Sequence, residues 1–324
     1  MTLSEWKVPK SAQPRPGDYG FDLDKRLSGI VALSSIVPGD AFTAETLGTE
    51  RAGNAVLIDS SGLFLTIGYL ITEATQIWLT TNDGRVLPGD VVGYDAQTGF
   101  GLVQSLARVD LPPVPVGSST DAAVGDDVII AGAGGRARSV SARIVARQEF
   151  AGYWEYLLEE ALFVSPPHPH WGGTALLDRA GRLIGIGSLQ LQQDRERDRA
   201  ENLNMVVPID LLKPILEPLR KSGVSGRPPR PWLGLFATEV DGNVVVAGMS
   251  DKGPADAAGL QVGDLVISVE GSSVDDLAGF YRRMWAAGPA GTTLSLRIGR
   301  SGKAFDVVIE SSDRGKLLRR PVMH

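Results

Sequence analysis

A series of short apolar runs separated by compact turn signals constrains the fold of this chain most strongly. The turn signals lie at residues 60–62, 82–84 and 179–181, where Gly, Asn, Asp and Ser favour tight reversals of the backbone. Runs of this length and spacing are typical of an all-β barrel or sandwich. The apolar runs lie at residues 29–34, 55–58, 76–81, 86–92, 128–131, 142–145 and 183–186. The region is therefore predicted to be mostly β.

A second, smaller unit follows a stretch rich in Gly and Pro. At 324 residues the chain is long enough for two domains. Four short β-type runs surround one helix, for which Ser273 and Asp276 have the spacing of a capping box. Apolar residues then recur at helical spacing until Gly288. The pattern predicts a small α+β domain of about 80 residues.

Composition divides the chain into five segments. We predict an extended N-terminal arm (1–27), a first domain (28–219), a linker (220–230), a second domain (231–312) and a basic C-terminal tail (313–324). Within the first domain, the polar stretch 192–204 predicts a mobile surface loop, and 208–216 predicts a short closing helix.

Charge and hydropathy restrict the classes of partner. The net charge of −6 does not favour nucleic acid, and the apolar runs are all shorter than the roughly 20 residues that span a bilayer. The start of the chain has no recognisable secretion signal, so we expect a cytoplasmic protein without a membrane span. Disulfides are excluded because the chain contains no cysteine. No cofactor is implied.

Five sets of residues, in order along the chain, resemble the HtrA/Deg-type trypsin-like serine proteases. Their segments are GNAVLIDSSGLFLTIGYLI (53–71), GYDAQTGFGLV (93–103), HPHWGGTALLDRAGRLIGI (168–186), NMVVPIDLLKPIL (204–216), and PWLGL (231–235) with GPADAAGLQVGDLVISVEG (253–271). The resemblance implies a trypsin-like double six-stranded β-barrel followed by a small α+β PDZ domain. Because family members commonly form trimers, it also implies a possible homo-oligomer.

The resemblance places unexpected residues at the positions of the family's catalytic triad. Tyr69 stands where the family has histidine, Gly99 where it has aspartate, and Trp171 where it has the nucleophilic serine. Peptide hydrolysis by a triad needs a hydroxyl, an imidazole base and a carboxylate that orients it. Pro169 stands at one of the two oxyanion-hole donors and has no backbone N–H. We therefore expect a pseudoprotease, not an enzyme, that serves as adaptor, regulator or holdase.

Two alternatives remain open for the first domain. An active serine-type endopeptidase could use an unorthodox base, and His168 with His170 could support metal-dependent chemistry. Two histidines without a recognisable third ligand do not define a metal site, so none is assigned and packing of the loop is the preferred role. Bulky side chains at Tyr69 and Trp171 would fill the cleft, and the alternative is an aromatic binding surface. The aromatic run 153–156 could line that surface, but its preferred role is strand packing or loop contacts.

The resemblance to PDZ domains identifies a candidate peptide-binding groove. A PDZ domain adds a peptide as a strand at a sheet edge, and backbone N–H groups of one loop bind its C-terminal carboxylate. The expected partners are thus peptides or protein C-termini. The candidate residues are Trp232, Leu233, Gly234 and Leu235 in the loop and Leu277, Phe280, Tyr281 and Met284 on the helix. The helix residues could instead fill the domain core.

Overall fold

The computed structural model describes residues 6–195 and 199–319 and divides them into two compact units. Residues 149–159 and 227–318 form one unit, and the remainder of the described chain forms the other. The ends of the predicted arm and tail, residues 1–5 and 320–324, lie outside the described residues. Since no described helix combines enough length with enough apolar character, none could cross a membrane.

The first unit begins with a closed six-stranded barrel. Its strand order is β1-β2-β3-β6-β5-β4, and each neighbouring pair is antiparallel. Alternate side chains point into the barrel, where Phe64 and Phe100 have no exposed surface. The strands are β1 (Ile30–Ile36), β2 (Glu50–Asp59), β3 (Leu63–Ile67), β4 (Gln76–Thr80), β5 (Val86–Tyr94) and β6 (Phe100–Ser105).

A second closed barrel of six strands follows in the order β10-β11-β12-β9-β8-β7. Its core is aliphatic, with Ile130, Ile144, Leu162 and Val206 fully buried. The strands are β7 (Asp127–Ala131), β8 (Ser139–Gly152), β9 (Tyr156–Ser165), β10 (Ala175–Leu177), β11 (Leu183–Arg195) and β12 (Arg199–Pro208). The prediction of a double six-stranded barrel is therefore confirmed.

Two local predictions for the first unit are wrong. The predicted loop at 192–204 lies largely within the hairpin of β11 and β12, in which Gln192 pairs with Asn202. A polar sequence can form such a hairpin because the strand ladder is made by backbone groups. The predicted helix at 208–216 is instead a 3₁₀ turn, Ile209–Leu211, followed by helix α3 (Leu216–Ser222). Pro214 interrupts the continuous helix because it lacks an N–H donor.

The N-terminal segment is also more ordered than the extended arm that composition predicts. Asp22 caps helix α1 (Leu23–Leu27) by accepting a hydrogen bond from the Lys25 N–H, and both leucines of the helix are buried. Further upstream, the Val8 N–H donates to the Ala137 carbonyl and the Val8 side chain is buried. Helix α2 (Ala44–Leu47) lies between β1 and β2.

The second unit contains a six-stranded sheet and one long helix. The sheet order is β13-β14-β15-β17-β18, with β16 paired to β15, so β13 lies at an edge. The elements are β13 (Leu235–Val240), β14 (Asn243–Met249), α4 (Pro254–Ala257), β15 (Leu265–Val269), β16 (Ser272–Ser273), α5 (Leu277–Ala286), β17 (Thr293–Arg300) and β18 (Lys303–Glu310). The predicted α+β domain is confirmed.

The start of helix α5 differs from the predicted capping box. Asp276 is the N-cap, and its carboxylate accepts a hydrogen bond of 2.6 Å from the Gly279 N–H. Ser273 lies in strand β16 and takes no part in the cap. The error arises because Ser and Asp are both favourable capping residues, and sequence spacing alone does not choose between them.

A buried ion pair fixes β17 to the loop before β15. The Asp264 side chain is 1% exposed and accepts two hydrogen bonds of 2.6 Å from the Arg300 guanidinium. Replacing Arg300 with Met would leave a buried carboxylate without its cation, which is strongly unfavourable. Because Arg300 is partly exposed, we expect Arg300→Met to lower the free energy of unfolding by about 2 to 3 kcal/mol.

The same strand provides a matched control for this prediction. Arg297 pairs with Asp306, and both of these side chains are largely exposed. Arg297→Met should change the free energy of unfolding by less than about 0.5 kcal/mol. Chemical denaturation of both variants measures the difference, and equal losses would contradict the role assigned to the buried pair.

Candidate functional site

The turn that follows β3 carries Tyr69, whose side chain is half-buried in the first unit. Tyr69 lies in the 3₁₀ turn Gly68–Leu70, and its hydroxyl donates to the Ser188 carbonyl at 2.8 Å. Burial raises the pKa of this phenol above its ordinary value, so it stays protonated at neutral pH. Tyr69 therefore acts in the structure as a hydrogen-bond donor that joins the two barrels.

Gly99 lies directly behind the turn that holds Tyr69. The Gly68 N–H donates to the Gly99 carbonyl at 2.6 Å, while the Gly99 N–H donates to the Asp95 carbonyl at 2.8 Å. Gly99 has a φ of +84°, a left-handed conformation that glycine adopts without steric cost. The positions matched to the family's histidine and aspartate are thus adjacent, as the resemblance implies.

The loop that precedes β10 is anchored by His168. This residue is 1% exposed, and its backbone N–H donates to the Asn204 side chain at 2.6 Å. Its ring Nδ1 accepts the His170 N–H at 3.1 Å, which makes Nε2 the protonated nitrogen facing the Arg138 carbonyl at 3.1 Å. Burial lowers the pKa of His168 to about 4, so the ring is neutral near pH 7.

His170 is less buried than His168 but belongs to the same packed cluster. Burial also lowers the pKa of its imidazole. The Trp6 ring packs edge-on against both histidines, with ring centroids 5.1 Å from His168 and 5.6 Å from His170. Across residues 6–195 and 199–319, no group of three or more His, Asp or Glu side chains is placed to hold a metal ion. These contacts favour packing over metal binding.

Asn54 holds the next part of the same loop against the first barrel. Its amide nitrogen donates to the carbonyls of His170 and Gly172 at 2.9 and 3.0 Å. The Trp171 carbonyl accepts hydrogen bonds from the backbone N–H and the hydroxyl of Thr174. The loop is therefore fixed by backbone and amide groups. Pro169, which has no N–H to offer an oxyanion, lies in the same loop.

The structure places Tyr69 beside the loop that precedes β10, which we call the Trp171 loop. A Cβ atom added at Gly172 would lie 2.7 Å from the Tyr69 hydroxyl, so the ring fills the space beside the loop. The groups collected there are a phenol, an indole and a glycine backbone. The roles of Tyr69, Gly99, Trp171 and Pro169 as replaced triad and oxyanion positions stay predictions.

The second unit contains a loop that binds a carboxylate. The backbone N–H of Leu233 donates to both carboxylate oxygens of Glu155 at 3.1 and 3.2 Å, and that of Leu235 donates at 2.9 Å. Between them Gly234 has a φ of +75°, which lets both N–H groups face the same acceptor. Trp232 anchors the loop by exchanging two backbone hydrogen bonds with Ser312.

The candidate residues of helix α5 are all buried. Phe280 and Met284 have no exposed surface and belong to the hydrophobic core of the unit, and Leu277 is 6% exposed. Tyr281 differs because its hydroxyl donates to the Gly152 carbonyl at 2.8 Å, in the hairpin tip between β8 and β9. A peptide-binding role for the four helix residues stays a prediction, and Tyr281 has the contacts that best support it.

Sequence reasoning missed Glu155, the acceptor in the carboxylate-binding loop. The residue retains partial exposure, while its carboxyl group is surrounded by protein. Tyr153 accompanies it, since its carbonyl accepts the Ala237 N–H of β13 at 2.9 Å. The available signal was a single acidic residue within the aromatic run 153–156, which alternating strand packing does not require.

Comparison with known proteins agrees with this architecture. Residues 53–186 match the model of the trypsin-like peptidase domain, and residues 231–310 match that of the PDZ domain. The serine endoprotease DegS of Salmonella typhimurium is 28% identical over 275 residues, covering 80% of this chain and 76% of its own length. A probable periplasmic serine endoprotease, DegP-like, of Halomonas elongata is 26% identical over 277 residues, or 81% of this chain and 56% of that protein.

The solved structures give the same fold. The HtrA-type protease AlgW with a decapeptide superposes with a TM-score of 0.53 at 20% identity, covering 91% of this chain and 97% of that one. The chain thus combines a trypsin-like peptidase domain with a PDZ domain. This is the arrangement of the HtrA/Deg-type proteases, and their recognition from the sequence is confirmed.

The comparisons correct one prediction. The expectation that the chain is not an enzyme is wrong, because its relatives are named serine endoproteases, and these names point to an enzyme of that class. The prediction followed from the side chains at three matched positions. A reaction is not excluded by the residues at those positions alone, since other groups of a chain can supply chemistry.

The close approach of Gly173 in the Trp171 loop to Asn54 gives a testable prediction. A Cβ at Gly173 would lie 1.9 Å from the Asn54 carbonyl oxygen, and the residue has a φ of +75°. Gly173→Ala should therefore lower the free energy of unfolding by at least about 3 kcal/mol, through backbone strain and overpacking. Gly84, with a φ of +86° and open space around it, is the matched control.

Gly84→Ala should cost only the strain of a left-handed alanine, about 1 kcal/mol. Urea denaturation of both variants measures the two losses. Similar losses for the two substitutions would contradict the close approach of the Trp171 loop to β2.

Glu155 gives a prediction about pH. Burial raises the pKa of Glu155 to about 7, although the N–H groups of Leu233 and Leu235 and the charge of Arg314 act in the opposite direction. The Tyr281 hydroxyl is the other titratable group facing it. A raised folded-state pKa means that stabilisation is complete below the unfolded value near 4.3 and is lost as pH rises through about 7.

We therefore expect the stability of the wild type, relative to Glu155→Gln, to fall between pH 4.5 and 7.5 by at most about 3 kcal/mol. Thermal unfolding of both proteins across this range is the measurement. The glutamine variant is the control because its side chain has similar size and does not titrate. A difference that is constant with pH would contradict the raised pKa.

Proposed function

We propose that this chain uses its PDZ domain to bind the C-terminal segments of polypeptides. The observation that carries the proposal is the pair of backbone N–H groups, from Leu233 and Leu235, that converge on a carboxylate. A free polypeptide C-terminus presents the same chemical group. The position of β13 at the edge of the sheet supplies the second requirement, because a peptide can add to an edge strand as a further strand.

Support also comes from the way the edge strand is used. The Ala237 N–H, two residues beyond Leu235, donates to a carbonyl of the segment that provides the carboxylate. Carboxylate capture and strand addition therefore act on the same bound segment. AlgW, which shares the fold, has been solved with a decapeptide and with a tripeptide, so a domain arrangement of this kind accommodates peptides in that protein.

The names of the relatives favour endopeptidase activity of the trypsin-like domain as a second function. The family resemblance matches Trp171 to the nucleophile, and on that match a serine-type reaction here would use a different hydroxyl. Two assays test this directly: labelling of the protein with a fluorophosphonate probe, and cleavage of unfolded casein. Cleavage together with a labelled residue would support the activity and identify its nucleophile. The absence of both cleavage and labelling would count against serine-type chemistry.

The roles as adaptor, regulator or holdase stay predictions. A cytoplasmic location and a homo-oligomeric assembly, a trimer by family resemblance, also stay predictions.

Binding of a C-terminus gives the next prediction. The probe is a fluorescein-labelled decapeptide that ends in Gly-Tyr-Trp-Leu, in which the first three of these residues repeat residues 152–154 of the chain. It is prepared with either a free or an amidated C-terminus. The free carboxylate should bind at least about tenfold more tightly, because a hydrogen bond to a charged group contributes about 1.5 to 3 kcal/mol. Fluorescence anisotropy is measured on the wild type and on Glu155→Gly, whose loop contains no internal carboxylate. Equal affinity for the two peptides would contradict carboxylate capture.

A further inference from the structure

The tip of the hairpin formed by β8 and β9 is part of the PDZ unit. Residues 149–159 group with residues 227–318, although both ends of this segment continue into strands of the second barrel. We call residues 149–159 the tip segment. Leu157 of the tip segment is 6% exposed and belongs to the same hydrophobic core as Leu233, Phe280 and Met284. The tip segment therefore packs into the core of the PDZ unit as its own strands and helix do.

The polar contacts of the tip segment reproduce those of a bound C-terminal peptide. The Tyr153 carbonyl accepts the Ala237 N–H of β13, as a strand added at the sheet edge would. Two residues later, the Glu155 side chain brings its carboxylate to the Leu233 and Leu235 N–H groups. An internal glutamate side chain thus occupies the position of a terminal carboxylate.

Helix α5 holds the opposite side of the tip segment. The Tyr281 hydroxyl donates to the Gly152 carbonyl at 2.8 Å and accepts the Glu155 N–H at 3.2 Å. Arg282, on the same helix, forms ion pairs with Glu149 and Glu159 near the two ends of the segment. These contacts place the tip segment between β13 and α5, the two elements that form the sides of a PDZ groove.

The backbone conformation of Glu155 indicates that the residue is suited to its carboxylate contacts and not to the hairpin turn. Glu155 has a φ of +59°, in the left-handed region that a non-glycine residue adopts at a steric cost. A glycine or asparagine would make the same hairpin turn with less strain. Unfavourable backbone conformations of this kind persist where surrounding contacts enforce them. Here the enforcing contacts are the hydrogen bonds to the PDZ loop.

We propose that the tip segment is an internal ligand of the PDZ groove, which a polypeptide C-terminus must displace in order to bind. This inference rests on the proposed peptide-binding function. The tip segment is covalently tethered, so it competes at an effective concentration that a dilute peptide does not match. The groove is open in only a small fraction of the molecules, and the apparent affinity for a free peptide is the intrinsic affinity multiplied by that fraction.

Removal of the internal carboxylate tests the proposal. Glu155→Gly keeps the left-handed turn and deletes the acceptor, so it should bind the free-carboxylate decapeptide at least about tenfold more tightly than the wild type. Glu155→Gln, which keeps the side-chain size, should give a smaller gain in the same direction. Fluorescence anisotropy measures the three dissociation constants.

Glu160→Gln is the matched control. Glu160 lies on the same hairpin but pairs with Arg147, outside the PDZ unit. Its substitution should leave peptide affinity unchanged. Equal affinity of the wild type and Glu155→Gly for the peptide would overturn the internal-ligand proposal and leave peptide binding intact. A failure of every variant to bind the free-carboxylate peptide would instead overturn the proposed function itself.

A reversible lock provides a second, independent test. The chain contains no cysteine, so the double substitution Tyr153→Cys and Phe236→Cys introduces a single possible disulfide between the tip segment and β13. The two native rings are neighbours, with centroids 6.0 Å apart. The oxidised protein should lose peptide binding, and reduction should restore it. Equal binding before and after reduction, with the disulfide verified by mass spectrometry, would overturn the proposal.

Discussion

The hydrogen-bonding requirement of two backbone N–H groups organises the second unit of this structure. The amides of Leu233 and Leu235 lie at the start of edge strand β13 and donate to the Glu155 carboxylate instead of to a neighbouring strand. A buried amide without an acceptor is costly, so a partner that supplies oxygen atoms stabilises the closed loop, whereas water supplies them in an open groove. The Glu155 carboxylate is that partner. The rest of the tip segment belongs to the same unit as this loop.

A similar requirement shapes the Trp171 loop of the first unit. Asn54 and Asn204 lie in barrel strands and satisfy the backbone of the loop that contains His168 and Trp171. The loop conformation is therefore maintained by amide side chains that take no part in triad chemistry. This explains in physical terms how the family's frame accommodates Tyr69 at a matched position, since the frame does not depend on an imidazole there.

Much of the architecture could be predicted from the sequence. Short apolar runs with turn signals located most of the twelve barrel strands, and the helical spacing of Leu277, Phe280 and Met284 located α5. The resemblance supplied the division into two barrels and a PDZ domain. Polar stretches were predicted less well, as the hairpin of β11 and β12 shows, because ladder hydrogen bonds come from the backbone and leave no mark in composition.

The candidate sites differ in how visible they are to sequence reasoning, and the difference follows from their chemistry. A triad depends on side chains at fixed positions, so Tyr69 and Trp171 are noticed at once when motifs are aligned. A carboxylate-binding loop depends on backbone N–H groups, which every residue except proline supplies. In this chain the resemblance to PDZ domains locates the loop, and Gly234 is its one residue in a left-handed conformation, with a φ of +75°.

The occupant of the loop is harder still to foresee, because Glu155 precedes Leu233 by 78 residues and belongs to a different predicted domain. Its contact depends on where the β8–β9 hairpin ends, and hairpin length is the quantity that apolar periodicity defines least well. A side-chain carboxylate can substitute for a chain terminus because the loop recognises two oxygen atoms and not the residue that bears them. The backbone origin of the site therefore leaves its occupant unmarked in the sequence of the loop and makes the site open to an internal ligand.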